Sequence, residues 1–107
     1  MAARQHEALE ADFVVVGAGS AGCAVAARLS EDRATHVVLL EAGGADKNRW
    51  IHIPLGFGKT CADASVNWCY ETEPDPGAAG RRVFWPRGKV LGGSSSINGM
   101  VYYPWPG

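Results

Sequence analysis

The tightest constraint on the fold of this chain is the order of four segments between Phe13 and Glu41. Phe13-Val14-Val15-Val16 is continuous, apolar and largely β-branched, the pattern of a central strand covered on both faces in a parallel sheet. It runs into Gly17-Ala18-Gly19-Ser20-Ala21-Gly22, a match to the GxGxxG fingerprint. From Ser20 to Ser30, small and apolar residues combine helix propensity with a slim surface that can lie close on a sheet. After the polar connection Glu31-Asp32-Arg33, the run Val37-Val38-Leu39-Leu40 predicts a second strand, closed by Glu41 and the pair Gly43-Gly44. Strand, glycine turn, helix and strand make a βαβ unit with a right-handed crossover.

Context gives the glycine motif its weight, because it leaves a strand, opens a helix and is followed by an acidic residue at the end of the next strand. Glu41 stands 19 residues beyond Gly22, close to the roughly 20 of the dinucleotide fingerprint. Gly17 permits the tight turn, Gly19 lets the backbone approach a pyrophosphate, and Gly22 lets the helix sit on the strand. Backbone N–H groups at the helix start, around Ser20 and Ala21, and the helix dipole stabilise diphosphate charge. Glu41, followed by Ala42, is placed to accept hydrogen bonds from the adenosine ribose and to repel a 2′-phosphate. The motif implies an ADP moiety and leaves three readings open: an FAD protein, an NAD-binding Rossmann protein, and a non-catalytic nucleotide-binding module.

Beyond Gly44 the periodicity fades, and Pro54, Gly56, Gly58, Pro74, Pro76, Gly77 and Gly80 punctuate a loop-rich stretch. Trp68 to Thr72 and Val83 to Trp85 are the candidate strands there, a hairpin closed by Pro76-Gly77-Ala78-Ala79-Gly80. Leu91-Gly92-Gly93-Ser94-Ser95-Ser96 is a second glycine-rich turn, predicted to feed a helix with a serine as N-cap. Trp50, Trp68, Tyr70, Phe84 and Trp85 have two readings, packing near a bound adenine or flavin and core aromatics, and the core is the more usual place for aromatics in such a stretch. Arg81, Arg82, Arg87 and Lys89 read as a solvated basic face, with neutralisation of the diphosphate as the alternative.

Several classes of function are excluded. The 10 cationic and 11 anionic side chains, net charge -1, are scattered and give no footprint for nucleic acid. The apolar run from Phe13 to Ala27 is broken by glycines, preceded by Glu7, Glu10 and Asp12, and shorter than the roughly 20 residues of a bilayer span, so neither a secretory leader nor a transmembrane segment is expected. Cys23, Cys61 and Cys69 show no CxxC pairing, and His6, His36 and His52 are isolated, so no disulfide framework or metal site is expected. Reduced thiols suit a cytoplasmic protein. Met1 to Ala11 lack an apolar stripe and predict a flexible tail.

The segment Trp85-Pro86-Arg87-Gly88-Lys89-Val90-Leu91-Gly92-Gly93-Ser94-Ser95-Ser96-Ile97-Asn98-Gly99-Met100-Val101-Tyr102 resembles the signature of the glucose-methanol-choline (GMC) oxidoreductases. The βαβ unit with Glu41-Ala42-Gly43, then Ile53-Pro54, Asn67-Trp68, Tyr70 and Thr72, occurs in that family's order and spacing, so the resemblance covers Asp12 to about Tyr102. It implies an α/β fold, part of a Rossmann-like FAD-binding domain, with residues 12–107 an incomplete version that lacks the substrate domain. It also implies that FAD is the cofactor, that the donor is a small-molecule alcohol, and that hydride passes from the alcohol carbon to FAD. Val90, Asn98, Gly99, Met100 and Val101 match positions that contact FAD in the family, with Gly92 and Gly93 allowing close backbone approach. Where some members carry a histidine covalently bound to FAD, this chain has Ile97, which implies non-covalent attachment.

The family's catalytic histidine belongs to a carboxyl-terminal region, so no catalytic residue is assigned and the chain alone is expected to be inactive. Members usually continue past the tyrosine to Arg-Gly, whereas this chain reads Tyr103-Pro104-Trp105-Pro106-Gly107. A frameshift or truncated gene prediction is the expected origin.

Overall fold

The structure, a computed structural model, describes residues 8–102 and 104. The expected tail up to residue 7, and Tyr103 and Trp105 to Gly107 of the divergent end, lie outside the described residues.

The βαβ unit forms as its pattern predicts. Strand β1, Phe13–Val16, pairs in parallel with β2, Val37–Leu40, in the register Phe13 to Val37 through Val16 to Leu40. Asp12 closes the open end: its carboxylate accepts the His36 N–H at 2.7 Å, and its own N–H donates to the His36 carbonyl at 2.9 Å. At the other end the Gly17 N–H donates to the Leu40 carbonyl at 2.7 Å. Helix α1, Ser20–Leu29, connects the strands and packs on both. A Cβ on Gly22 would fall on the Gly17 carbonyl and 3.6 Å from Val15 Cγ1, so only glycine lets the helix lie this close to the strand end.

The faces of this sheet differ from the sequence expectation. Val15 faces α1, while Val14 and Val16, on the opposite face by strand alternation, are 58% and 82% exposed. The run Phe13–Val16 is therefore not covered on both faces among the described residues, because a single helix covers one face of a two-stranded sheet. The radius of gyration, 18.0 Å, exceeds the roughly 13 Å of a compact domain of this length.

The core lies elsewhere. Val66, Val90 and Ile97 form the buried apolar cluster, with Ile51 packed against it. Short 3₁₀ turns at Arg49–His52 and Pro54–Gly56 and the single-turn helix α2, Phe57–Thr60, wrap this cluster. Asn48 caps the first of these turns, accepting the Trp50 N–H at 3.0 Å, and donates to the Asp63 carboxylate at 2.9 Å.

Strand β3, Tyr70–Glu71, pairs antiparallel with β4, Phe84–Trp85. The predicted hairpin is present with shorter strands, and its connection contains a 3₁₀ turn at Pro76–Ala78 capped by the Asp75 carboxylate. The second glycine-rich turn does not feed an α-helix with a serine cap. Gly93–Ile97 is a 3₁₀ turn whose N-cap is Gly92, in the left-handed region at φ 94°. The serines that would have capped a helix are engaged within the turn: Ser95 Oγ donates to the Gly92 carbonyl at 2.6 Å and Ser96 Oγ to the Leu91 carbonyl at 2.9 Å. No helix among the described residues is long and apolar enough to cross a membrane.

Candidate functional site

The two glycine-rich turns, distant in sequence, lie against each other. The Gly92 N–H donates to the Ala18 carbonyl at 2.9 Å, and Gly19 bridges Gly92 in parallel fashion. Gly93, at φ 60°, sits so close that an added Cβ would stand 2.9 Å from Gly19 Cα. A second bridge, Gly44 to Val90 with the Leu91 N–H donating to the Gly44 carbonyl at 2.8 Å, extends the join. Gly92 and Gly93 therefore bring the second turn against the first, which is a role that the sequence reading did not assign.

This join divides an open surface into two adjoining clefts at the start of α1. The larger, about 560 Å³, lies at the carboxyl ends of β1 and β2, where open α/β sheets bind ligands. Gly17, Gly19, Glu41, Ala42 and Gly93 line it on the sheet side, and Trp68, Tyr70 and Arg87 face them from the hairpin side. The second, about 400 Å³, is lined by Ser20, Cys61, Ser94, Asn98 and Gly99 among others. Ser94 lines both clefts. Its Oγ accepts the Gly88 N–H at 3.0 Å, which leaves the hydroxyl proton free to donate at the junction.

The polar chemistry of the junction suits an anion. The backbone N–H groups of Ala21 and Gly22, in the first turn of α1, find no acceptor among the described residues. Gly19, the N-cap, provides no side-chain cap either. Unpaired first-turn N–H groups and the positive end of the helix dipole favour a bound negative charge.

Glu41 is more constrained than its sequence role implied. One carboxylate oxygen accepts the Ala18 N–H at 2.7 Å and the other the Gly43 N–H at 2.9 Å. The carboxylate thus pins the glycine turn to the end of β2, and each oxygen retains a lone pair for a ribose hydroxyl.

The remaining sequence-predicted residues divide clearly. Ala21, Gly22, Gly92, Met100 and Val101 line neither cleft. Val90 is 1% exposed and its side chain belongs to the core, leaving only its peptide near the join. Ile97, 4% exposed, is also core, although it lines the second cleft, and its carbonyl accepts from Cys61 Sγ at 3.7 Å. Asn98 folds its own side chain back to accept the Met100 N–H at 2.9 Å. Arg81 and Arg82 form a solvated hairpin face, the latter 3.5 Å from Glu73. Arg87 and Lys89 instead lie over the rings of Trp85 and Trp68, at 4.8 and 4.7 Å.

Sequence reasoning named the serines beside Gly92-Gly93 as hydroxyl donors for a phosphate or flavin edge, which fits Ser94, and passed over Asn67. Asn67, 2% exposed, donates to the Cys61 carbonyl at 2.5 Å and accepts the Cys69 and Arg87 N–H groups at 3.0 and 2.9 Å, tying the wall carrying Trp68 to the α2 turn. Its place beside Trp68 in the resemblance was the available signal. Cys23, Cys61 and Cys69 are free thiols, and no group of three or more metal-ligating side chains is found among the described residues.

The family model described as GMC oxidoreductase matches residues 11–105. The alcohol dehydrogenase [acceptor] of Pseudomonas putida is 54% identical over 91 residues, covering 85% of this chain and 16% of that protein. The oxygen-dependent choline dehydrogenase of Sinorhizobium medicae is 53% identical over 94 residues, covering 88% and 17%. Pyridoxine 4-oxidase from Mesorbium loti superposes with a TM-score of 0.81 at 43% identity, over 87% of this chain and 18% of that one. The chain thus spans about a sixth of the length of the curated relatives it matches. With its βαβ unit, its joined glycine turns and this similarity over nearly its whole length, the chain belongs to the GMC oxidoreductase family, whose structural neighbours carry a Rossmann-like FAD-binding domain.

Proposed function

We propose that this chain forms the FAD-binding portion of an oxidoreductase acting on the CH–OH group of a small-molecule alcohol, with residues 12–107 in the cofactor domain. The observation that carries this reading is the continuity of the two clefts across the start of α1, a path suited to an elongated dinucleotide with its diphosphate at the junction. Gly17, Gly19, Ser20, Ala21 and Gly22 hold the diphosphate, joined by the Ser94 hydroxyl. Glu41 and Ala42 hold the adenosine ribose. Asn98 and Gly99, on the lining of the second cleft, border the flavin, and Gly92 and Gly93 set the second turn against the first. When bound, FAD supplies the acceptor for a hydride leaving the alcohol carbon.

The attachment is non-covalent, because Ile97 has no nucleophilic atom to bond the flavin and is packed in the core. The catalytic base is not among these residues, and the chain alone turns over no alcohol. Its three free thiols suit a cytoplasmic location.

Expression of the chain tests this directly. The purified protein is expected to carry yellow flavin absorbance, to release intact FAD on acid precipitation, and to oxidise neither choline nor simple alcohols. Binding of NADH without FAD would overturn the cofactor assignment. Flavin remaining on the precipitated polypeptide would overturn the non-covalent assignment, and alcohol turnover would overturn the inactivity.

A further inference from the structure

Asn67 lines neither cleft, yet its side chain is bonded to the walls of both. Its Nδ2 donates to the carbonyl of Cys61, a residue of the second cleft, at 2.5 Å. Its Oδ1 accepts the Cys69 N–H at 3.0 Å and the Arg87 N–H at 2.9 Å. Cys69 stands between Trp68 and Tyr70, which with Arg87 form the hairpin wall of the larger cleft, and Pro86, next to Arg87, lines the second. The main chain already holds the hairpin base together: the Trp68 N–H donates to the Arg87 carbonyl at 2.9 Å and the Lys89 N–H to the Val66 carbonyl at 2.8 Å. Between the α2 turn and the hairpin there is no main-chain hydrogen bond among the described residues, so the Asn67 amide is the direct link. It also fixes an uncommon backbone, because Cys69, whose N–H it accepts, lies in the left-handed region at φ 52°.

Building on the reading of the two clefts as one dinucleotide path, we infer that Asn67 is a positioning residue that couples them and so favours an intact dinucleotide over its separate halves. A ligand that occupies both clefts requires their walls at one fixed offset. Walls that already stand at that offset give up less freedom on binding. A buried amide whose three partners lie on three different segments is satisfied in one arrangement only, so it specifies a single relation between those walls. A half-ligand confined to one cleft does not sense the offset, whereas the whole dinucleotide does. Asn67 therefore acts through the walls, without itself touching the ligand.

Asn67→Asp keeps the shape and both accepted N–H bonds, and sets a carboxylate oxygen against the Cys61 carbonyl in place of the donor. Once protonated, the same carboxyl donates to that carbonyl again. The segments bonded to it carry Lys59 and Cys61, Cys69 and Glu71, and Arg87 and Lys89, so wild type is measured in parallel at each pH. The 107-residue chain is titrated calorimetrically with FAD and with its halves AMP and FMN, at pH 8 and pH 5. At pH 8 Asn67→Asp is expected to bind FAD about tenfold more weakly than wild type, the equivalent of one hydrogen bond, with AMP and FMN affinities within about threefold. At pH 5 its FAD affinity is expected to return to within about threefold of wild type. Asn48→Ala, which loses bonds to Trp50 and Asp63 behind neither cleft, is the control for lost stability and should melt lower with FAD affinity kept. A loss within twofold at pH 8, an AMP or FMN loss as large as that of FAD, no recovery at pH 5, or an equal FAD loss in Asn48→Ala each overturn the coupling. If Asn67→Asp does not fold, hydrogen exchange on wild type decides: FAD is expected to slow exchange of the Cys69 and Arg87 amides more than AMP or FMN alone, and equal protection by either half overturns the coupling. Wild type that binds FAD in those cases leaves the FAD reading standing. Wild type that binds NADH but not FAD overturns the cofactor, while exchange of the same amides with NADH against AMP decides the coupling, and wild type that binds none of the nucleotides overturns both.

Discussion

Replacing Gly93 by alanine probes the join between the two glycine-rich turns. Gly93 sits at φ 60°, and a Cβ there would stand 2.9 Å from Gly19 Cα. The left-handed backbone costs an alanine about 1–2 kcal/mol. Carbon atoms pack at roughly 3.5–4.0 Å, so one turn must retreat by about 0.6 Å or more. That motion stretches the Gly92 N–H to Ala18 carbonyl bond from 2.9 Å toward the limit of a hydrogen bond, removing about 1 kcal/mol more. The total, about 2–3 kcal/mol, corresponds to about 30- to 150-fold in an equilibrium constant. FAD affinity, read by the change in flavin fluorescence on titration, is expected to fall within that range, because Gly19 is the N-cap of the helix proposed to hold the diphosphate. Gly44→Ala is the control: nothing lies within 4 Å of its added Cβ and its φ is not positive. Gly93→Ala binding FAD within twofold of wild type, with an unchanged melting temperature, would refute the coupling of the two turns.

Asn67→Ala removes three hydrogen bonds at a buried position, at about 1 kcal/mol each. A loss of about 3 kcal/mol in urea denaturation is expected, and a loss under 1 kcal/mol would show that water replaces the side chain. Hydrogen bonds from the Ser65 hydroxyl and N–H, with a further one from Asn48, hold the Asp63 carboxyl below its ordinary value of 3.8. Being lowered in the folded state, it contributes stability that is present above that value and disappears as the pH falls through the folded value. The melting temperature of Asp63→Asn should therefore lie below wild type at pH 6 and converge with it in strong acid. A gap of the same size at both ends would contradict this.

The local elements were legible because short-range rules dominate them. The apolar runs at Phe13 and Val37 became strands, and Ser20 to Leu29 became the helix. The hairpin shortened because the left-handed backbone of Cys69, at φ 52° and held by Asn67, interrupts its first strand. The second glycine turn misled, since serines beside glycine read equally as helix caps or as hydroxyls bonded to their own turn. The aromatic residues misled for a different reason: apolar character predicts burial only where other elements arrive to cover it.

By itself, the sequence determined the βαβ unit, its glycine-rich turn and, through the second signature, the family, because these depend on residue type at fixed local spacing. Tertiary structure alone decided that the two glycine turns touch, that Glu41 is clamped by the Ala18 and Gly43 amides, that Val90 and Ile97 are core, and that Trp68 and Tyr70 stand in a cleft. Each of these depends on which backbone segments approach one another, and such approaches are set by packing between residues remote in sequence, where no local pattern records them.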